Sequence, residues 1–106
     1  MCEAVFRERV REKLSESQIE SMLQDTPGWA REGESIRRVF AFSDFQRAFS
    51  FMSGCALVCE KADHHPDWSN SYNRVDVRFT THDAGGLTLK DFELARAFNA
   101  FLMQKA

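Results

Sequence analysis

Proline and glycine are scarce in this 106-residue chain, which has two Pro and five Gly and contains no linker or low-complexity run. Long apolar runs are also missing, because the longest nearly apolar stretch, 51–59, ends at Glu60 and falls far short of the ~20 residues that cross a bilayer. No apolar segment follows the charged start of the chain, so we expect no signal peptide. These absences predict one folded domain over residues 1–106 with no membrane partner.

Neither sign of charge is in large excess, since 14 Lys and Arg stand against 16 Asp and Glu and the formal net charge is −2. Proteins that bind nucleic acid or anionic membranes electrostatically need a basic surface. We therefore expect no direct nucleic-acid binding. With 43% hydrophobic and 28% charged residues, the composition is that of an ordinary globular protein.

Cysteine is also rare, and its count is odd: Cys2, Cys55 and Cys59. An odd count favours free thiols in a reducing compartment over a disulfide framework, so we expect a cytoplasmic protein. Cys55 and Cys59 lie one helical turn apart, and we interpret them as buried, inert thiols rather than metal ligands.

Three capping boxes predict three helix starts, because a Ser or Thr hydroxyl can accept from an unpaired amide at the beginning of a helix. The boxes are Ser15 to Gln18, Ser43 to Gln46 and, with Asp in the third position, Thr88 to Asp91. The predicted helices cover 15–23, 44–62 and 89–104, and the first ends before Pro27 and Gly28.

Strand patterns fill the intervals between these helices. Segments 29–32 and 36–42 flank Gly33 as a predicted hairpin, and 72–79 alternates apolar and polar residues as a half-buried strand does. A short extended piece at 87–88 is predicted as the fourth strand. The order α-β-β-α-β-β-α predicts an α+β fold, with helices covering one face of a mostly antiparallel sheet.

One stripe of the second helix is predicted to face the core when its residues are placed at about 100° intervals. The stripe consists of Phe45, Ala48, Phe49, Met52, Cys55, Ala56 and Cys59. Phe51, Gly54 and Val58 lie at its edge at helical spacing. These three residues form either a second ridge, which another helix approaches closely, or the rim of a wide core stripe.

The histidines offer the clearest candidate chemistry. His64 and His65 follow the second helix and His82 follows strand 72–79, so the three imidazoles converge if that strand returns beside the helix end. Three interpretations of these histidines are open. The residues could be structural loop histidines, the ligands of a three-histidine zinc site, or metal-free acid–base groups, because an imidazole ordinarily exchanges a proton near neutral pH. Adjacent histidines lack the spacing typical of zinc sites, whereas Asp63 and Asp83 could tune the protonation of neighbouring imidazoles.

Three segments around these histidines carry a family resemblance. They read Glu-Lys-Ala-Asp-His-His-Pro-Asp-Trp at 60–68, Asn-Ser-Tyr-Asn-Arg-Val at 70–75 and Thr-Thr-His-Asp-Ala-Gly-Gly-Leu-Thr at 80–88, followed by Asp91. In order and spacing they resemble the signature of the pterin-4a-carbinolamine dehydratase family. Segment 42–52 is similar to that family's second helix, and the resemblance extends from about Gly28 to the C-terminus. Lys90 stands where some members have Arg.

The resemblance implies a four-stranded antiparallel sheet with three helices packed on one face. It also implies a dehydratase that removes water from a 4a-hydroxytetrahydropterin, such as 4a-hydroxytetrahydrobiopterin, giving the quinonoid dihydropterin and recycling the cofactor of aromatic amino-acid hydroxylation. No cofactor and no metal are implied. Homodimers or homotetramers through the second helix are implied, which favours an oligomer role for Phe51, Gly54 and Val58.

The resemblance further implies roles for individual residues. His64 and His82 carry the proton transfers, His65 binds and orients the substrate, and Asp91 either caps the last helix or takes part in catalysis. The implied substrate-binding residues are Asp63, His64, His65, Trp68, Thr80, Thr81, His82 and Asp83. Some family members also act as dimerisation cofactors of a homeodomain transcription factor, so a protein-binding module with a nuclear pool is the alternative function.

Overall fold

The structure, a computed structural model, describes residues 11–104. Three helices and four strands follow one another in the order α-β-β-α-β-β-α, as predicted. The elements are α1 (Glu16–Gln24), β1 (Ala30–Glu32), β2 (Ser35–Ala41), α2 (Phe45–Ala62), β3 (Asp67–Ser71), β4 (Arg74–Phe79) and α3 (Leu89–Gln104), with a 3₁₀ turn at His82–Ala84. The strands form one antiparallel sheet in the order β1-β2-β4-β3.

One face of the sheet is covered by the helices, and the hydrophobic core lies between the two layers. Strand β4 alternates as predicted, with Val75, Val77 and Phe79 fully buried. In β2, Ile36 pairs with Phe79 and Phe40 with Val75, so apolar side chains of both strands share the inner face. Burying each large apolar side chain contributes roughly 1.5–3 kcal/mol, so this layer stabilises the packing of the helices on the sheet.

The fourth strand is not where the sequence pattern placed it. Residues 87–88 lie outside the sheet, and the neighbouring Gly86 forms an isolated bridge with Thr81. The fourth strand of the sheet is instead β3, Asp67–Ser71. Strand β3 lies at the edge of the sheet and buries little surface, which is compatible with its mostly small and polar residues. Such a sequence lacks the apolar alternation by which strands are recognised. The predicted start of β4 at Tyr72 is instead a turn residue with φ 51°.

Two of the predicted helix starts can be compared directly with the caps. At α1 both hydrogen bonds of the Ser15 capping box are present. At α2 the predicted Ser43 box is wrong, because Asp44 is the N-cap and its Oδ1 accepts from the Arg47 amide at 2.8 Å. A carboxylate at this position also interacts favourably with the positive end of the helix dipole.

The face that α2 buries differs from the predicted stripe. Phe51 is fully buried and packs on Phe40 and Phe42, with ring centroids 4.7 and 5.1 Å apart. Phe45 and Phe49, predicted for the core, are 47% and 54% exposed. Ala48, Cys55 and Cys59 are buried as predicted, whereas Ala56 is exposed. The buried face is therefore rotated towards Phe51.

Gly54 is the point at which α3 approaches α2. A Cβ atom built on Gly54 would overlap the ring of Phe101. The approaching helix that the spacing of Phe51, Gly54 and Val58 suggested is therefore α3 of the same chain. The predicted oligomer role of Phe51 is therefore wrong, because its side chain has no exposed surface that could contact another subunit.

Cys55 and Cys59 are free thiols inside the core, as predicted. Burial, with a smaller contribution from Cys59, raises the pKa of the Cys55 thiol to about 12. Burial raises the pKa of Cys59 to about 11. Both side chains are therefore held as neutral thiols, and neither is an activated nucleophile.

We expect Gly54→Ala to lower the free energy of unfolding by about 1–3 kcal/mol, the usual cost of overpacking, because the new methyl group displaces the Phe101 ring. In a Phe101→Ala background the clash is absent, and the higher helix propensity of alanine should make the same substitution stabilising by up to ~1 kcal/mol. Urea unfolding followed by circular dichroism measures both effects. Ser53→Ala, at the exposed neighbouring position, is the control and should be nearly neutral. Stabilisation by Gly54→Ala in both backgrounds would contradict the close approach.

Candidate active site

A cleft of about 350 Å³ opens where the C-terminal end of α2 meets the C-terminal end of β4. It is lined by Arg11, Asp63, His64, His65, Thr80, Thr81, His82 and Asp83. The structure thus brings the adjacent His64 and His65 and the more distant His82 to one cleft. A volume of this size is typical of small-molecule sites. A second recess of about 410 Å³ adjoins it and shares Thr80 and His82 with it.

The way α2 ends directs His64 into the cleft. Asp63 adopts the left-handed conformation with φ 56°, its amide donates to Glu60 O at 3.2 Å, and the His64 amide donates to Cys59 O at 3.1 Å. This is the Schellman type of helix end, in which a left-handed residue reverses the chain. Lys90 of α3 donates from Nζ to Ala62 O at 2.5 Å and holds the same helix end in place.

His64 is held on two sides. Its Nε2 lies 2.6 Å from Oδ1 of Asp91, and its ring stacks on Phe79 with a 17° interplanar angle and 6.0 Å between centroids. The His64 side chain is 14% exposed and that of Asp91 is fully buried. The imidazole is therefore fixed in orientation while part of it still reaches the cleft.

Asp91 is a buried carboxylate whose two oxygens both have partners. Oδ2 accepts from Oγ1 of Thr81 at 2.8 Å and from the Thr88 amide at 3.0 Å, whereas Oδ1 faces His64. Asp91 thus caps α3, as one of the two interpretations left open by the sequence had it, and it also holds His64. Because Phe98 and Ala95 are buried on the same face of α3, an acidic residue on this apolar face was the sequence signal for such a role. A part for Asp91 in catalysis stays a prediction.

The other two histidines are more accessible. His65 is 57% exposed, and its Nε2 lies 3.0 Å from Oε1 of Glu60. His82 is exposed at the start of the 3₁₀ turn, which ends at Gly85 with φ 77°. Gly85 is suited to this end because the left-handed conformation costs glycine little. Both imidazoles are thus free to approach a ligand in the cleft.

The polar residues predicted to bind substrate fall into two groups. Asp63 and Asp83 are exposed on the cleft, whereas the hydroxyl groups of Thr80 and Thr81 already donate to Glu34 O at 2.6 Å and to Asp91 at 2.8 Å. The two threonines therefore support the cleft from behind.

Trp68 is not among the residues that line the cleft. Its ring packs on Phe98 of α3 with 5.9 Å between centroids, and Phe98 in turn packs on Phe79, which lies under His64. Arg11, by contrast, lines the cleft but was not identified from the sequence, because a single Arg in a charged segment carries no distinguishing pattern.

Within residues 11–104, no group of three or more His, Cys, Asp or Glu side chains is arranged to hold a metal ion. No helix in that part of the chain has both the length and the apolar character needed to cross a membrane.

Comparison with known proteins identifies the class. A family model described as "Pterin 4 alpha carbinolamine dehydratase" matches residues 12–101. Relatives from Rhodopseudomonas palustris (strain BisB18) and Bradyrhizobium sp. (strain ORS 278) both carry the name "Putative pterin-4-alpha-carbinolamine dehydratase". The first is 51% identical over 87% of this chain and 93% of its own length, and the second is 53% identical over 84% and 91%.

A solved structure agrees with these relatives. The crystal structure of a transcriptional coactivator/pterin dehydratase from Brucella melitensis has a TM-score of 0.83 and 46% sequence identity, covering 85% of this chain and 98% of that one. Fold and relatives together define an α+β enzyme of the hydro-lyase class. More specifically, the chain belongs to the pterin-4a-carbinolamine dehydratase family.

The left-handed end of α2 predicts how Asp63 variants behave. Asp63→Val should lower the free energy of unfolding by roughly 1–2 kcal/mol, because a β-branched residue fits poorly at φ 56°. Asp63→Gly removes the same carboxylate without this strain and should stay within about 1 kcal/mol of the parent. Thermal unfolding measures both, with Asp83→Val as the control on the opposite side of the cleft. Equal stability of Asp63→Val and Asp83→Val would contradict this account of the helix end.

Proposed function

We propose that this enzyme removes water from a 4a-hydroxytetrahydropterin, such as 4a-hydroxytetrahydrobiopterin, and so recycles the tetrahydropterin cofactor. His64 follows α2 and His82 follows β4, and both line one cleft in a member of a dehydratase family. This observation carries the proposal. The cleft volume of about 350 Å³ suits a bicyclic ligand. Residues 1–106 would act as one catalytic domain.

The reaction requires one acid and one base. The C4a–O bond breaks and the hydroxyl leaves as water after it accepts a proton from the acid. The base takes the proton of N5–H, whose electron pair forms the C4a=N5 double bond, so no oxidant or reductant is needed. We assign these two transfers to His64 and His82 without ordering them. Positioned acid–base groups typically contribute ~10²–10⁴-fold, and neither a metal nor a covalent intermediate is required.

The remaining cleft residues would bind and orient the pterin. His65, exposed and paired with Glu60, can bind the substrate without losing a buried contact. The carboxylates of Asp63 and Asp83 and the guanidinium of Arg11 also line the cleft and offer hydrogen-bond partners to the polar ring edge. Thr80 and Thr81 would contribute through the cleft's framework, and Trp68 through the packed rings beneath His64.

His64→Ala and His82→Ala should each lower kcat for decay of 4a-hydroxytetrahydropterin by roughly 10²-fold or more, because each removes a proton-transfer group. His65→Ala should mainly raise KM. The assay follows quinonoid dihydropterin by absorbance, and circular dichroism checks that each variant is folded.

Lys61→Ala, on the neighbouring exposed turn, is the matched control and should leave the rate unchanged. A chelator should also have no effect, whereas chelator-sensitive activity would support the zinc interpretation. Full activity in both His64→Ala and His82→Ala would contradict the assigned roles.

We also propose that the chain forms homodimers or homotetramers through an exposed face of α2, here called the α2 apolar face: Phe45, Phe49 and Leu57. These side chains are 47%, 54% and 74% exposed, and the Phe45 and Phe49 rings lie 5.6 Å apart. Large apolar side chains exposed on one helix favour a protein partner. This face replaces the Phe51 ridge predicted from sequence.

Phe49→Glu should shift the sedimentation coefficient of the assembly towards the monomer, because it places a charge within the α2 apolar face. Arg47→Glu, two positions before Phe49 and therefore on the far side of the same helix, is the control and should leave the assembly intact. An unchanged mass for Phe49→Glu would contradict the proposed interface.

A second candidate function is that of a dimerisation cofactor for a transcription factor, acting through the same α2 apolar face. The observation that favours it is the Brucella melitensis structure, which is described as a transcriptional coactivator as well as a pterin dehydratase. A net charge of −2 favours contact with a protein over direct contact with nucleic acid.

The buried free thiols of Cys55 and Cys59 favour a location in the reducing cytoplasm, with a nuclear pool only if the coactivator role exists.

A further inference from the structure

Two buried threonine hydroxyls lie behind the carboxylate that holds His64. Oγ1 of Thr81 and Oγ1 of Thr88 are 2.8 Å apart, and Thr81 is also 2.8 Å from Oδ2 of Asp91. Thr81 is 8% exposed, and Thr88 and Asp91 are fully buried. Each of these polar groups must therefore find its hydrogen-bond partner inside the protein. The donor and the acceptor of each hydrogen bond can then be assigned.

Counting protons sets that direction. An ionised carboxylate only accepts, so Thr81 uses its single hydroxyl proton on Asp91 and must accept from Thr88. The Thr88 amide donates to the same Oδ2. With both donors on Oδ2, the other carboxylate oxygen, Oδ1, faces His64 and accepts from its Nε2–H.

From this chain of bonds we infer that His64 is held with its proton on Nε2, which leaves Nδ1 as the atom that exchanges a proton with the substrate. Thr88 is then a positioning residue, acting through Thr81 and Asp91. This inference rests on the proposed dehydratase function for its catalytic meaning, but the protonation pattern itself is a property of the free enzyme. It concerns the neutral imidazole, since both nitrogens carry protons in the imidazolium.

Asp91→Asn should reverse the pattern. The amide oxygen must still accept from the Thr88 backbone amide, because that N–H can only donate and would clash with an amide NH₂ group. The amide nitrogen then faces His64 and donates to Nε2, which moves the imidazole proton to Nδ1. The corresponding substitution at the carboxylate of a catalytic triad leaves the geometry intact but selects the wrong tautomer, at a cost of roughly 10⁴ in kcat.

The test is ¹⁵N NMR of the intact enzyme labelled at histidine, at a pH where His64 is neutral. The His64 signals are assigned by their loss in His64→Gln. We expect a protonated Nε2 and a bare Nδ1 in the parent, and the reverse in Asp91→Asn. The kcat of Asp91→Asn should fall by roughly 10²–10⁴-fold with a smaller change in KM. A proton on Nδ1 in the parent, or an unchanged tautomer in Asp91→Asn, would overturn the inference.

Thr88 is tested separately by two variants. Thr88→Ser keeps the hydroxyl and should retain kcat and the His64 Nε2–H resonance. Thr88→Val keeps the shape but leaves the buried Thr81 oxygen without a donor, so it should move that resonance and lower kcat by roughly threefold to tenfold. Identical spectra and rates for Val and Ser would remove Thr88 from the positioning chain.

Failure of the proposed function and failure of this inference give different results. A parent enzyme that lacks dehydratase activity but carries its proton on Nε2 would overturn the catalytic role of Nδ1 together with the proposed function. A parent enzyme that is an active dehydratase but carries its proton on Nδ1 would overturn only the inference.

Discussion

The buried carboxylate of Asp91 is the constraint on which the site depends. It joins three segments that are separate in sequence: the end of α2 through His64, the end of β4 through Thr81, and the start of α3 through the Thr88 amide. A charged group with no exposed surface is costly unless its hydrogen bonds are complete, and here each oxygen has a partner. The position of one histidine is thereby tied to the docking of α3 against the sheet.

The core beneath the site extends this connection. Phe79 lies under the His64 ring, and Phe98 packs on Phe79 at 5.2 Å between centroids. Phe51 then packs on Phe98 at 5.9 Å, so an aromatic cluster links α2, β4 and α3. Since protein interiors are close-packed, these contacts limit how far the imidazole can move. Preorganisation of this kind is what acid–base catalysis requires of a protein scaffold.

The parts of the fold with a strong local pattern were predictable from sequence. The alternation at 75–79 gave β4, and the Ser15 box gave the start of α1. Strand β3 was missed because an edge strand of polar residues has no apolar period. The buried face of α2 was misassigned because apolar residues lie on several sides of the helix. Tertiary packing, Phe51 against Phe40 and Gly54 against Phe101 of α3, decides which of them face inwards.

The candidate site was predictable in its residue types and much less in its contacts. The placement of His64, His65 and His82 after predicted elements singled them out, the family resemblance supplied their roles, and the structure brings all three to one cleft. The resemblance did not distinguish Thr81, which supports Asp91, from residues that face the ligand, because side-chain partners depend on tertiary packing.

The most direct test of the central claim is a crystal structure of the enzyme with an unreactive dihydropterin. The account predicts the bicycle in the cleft between α2 and β4, with Nδ1 of His64 and a ring nitrogen of His82 each within about 3–3.5 Å of the C4a–N5 edge. A ligand bound elsewhere, or a His82 ring beyond reach of that edge in every subunit, would contradict it.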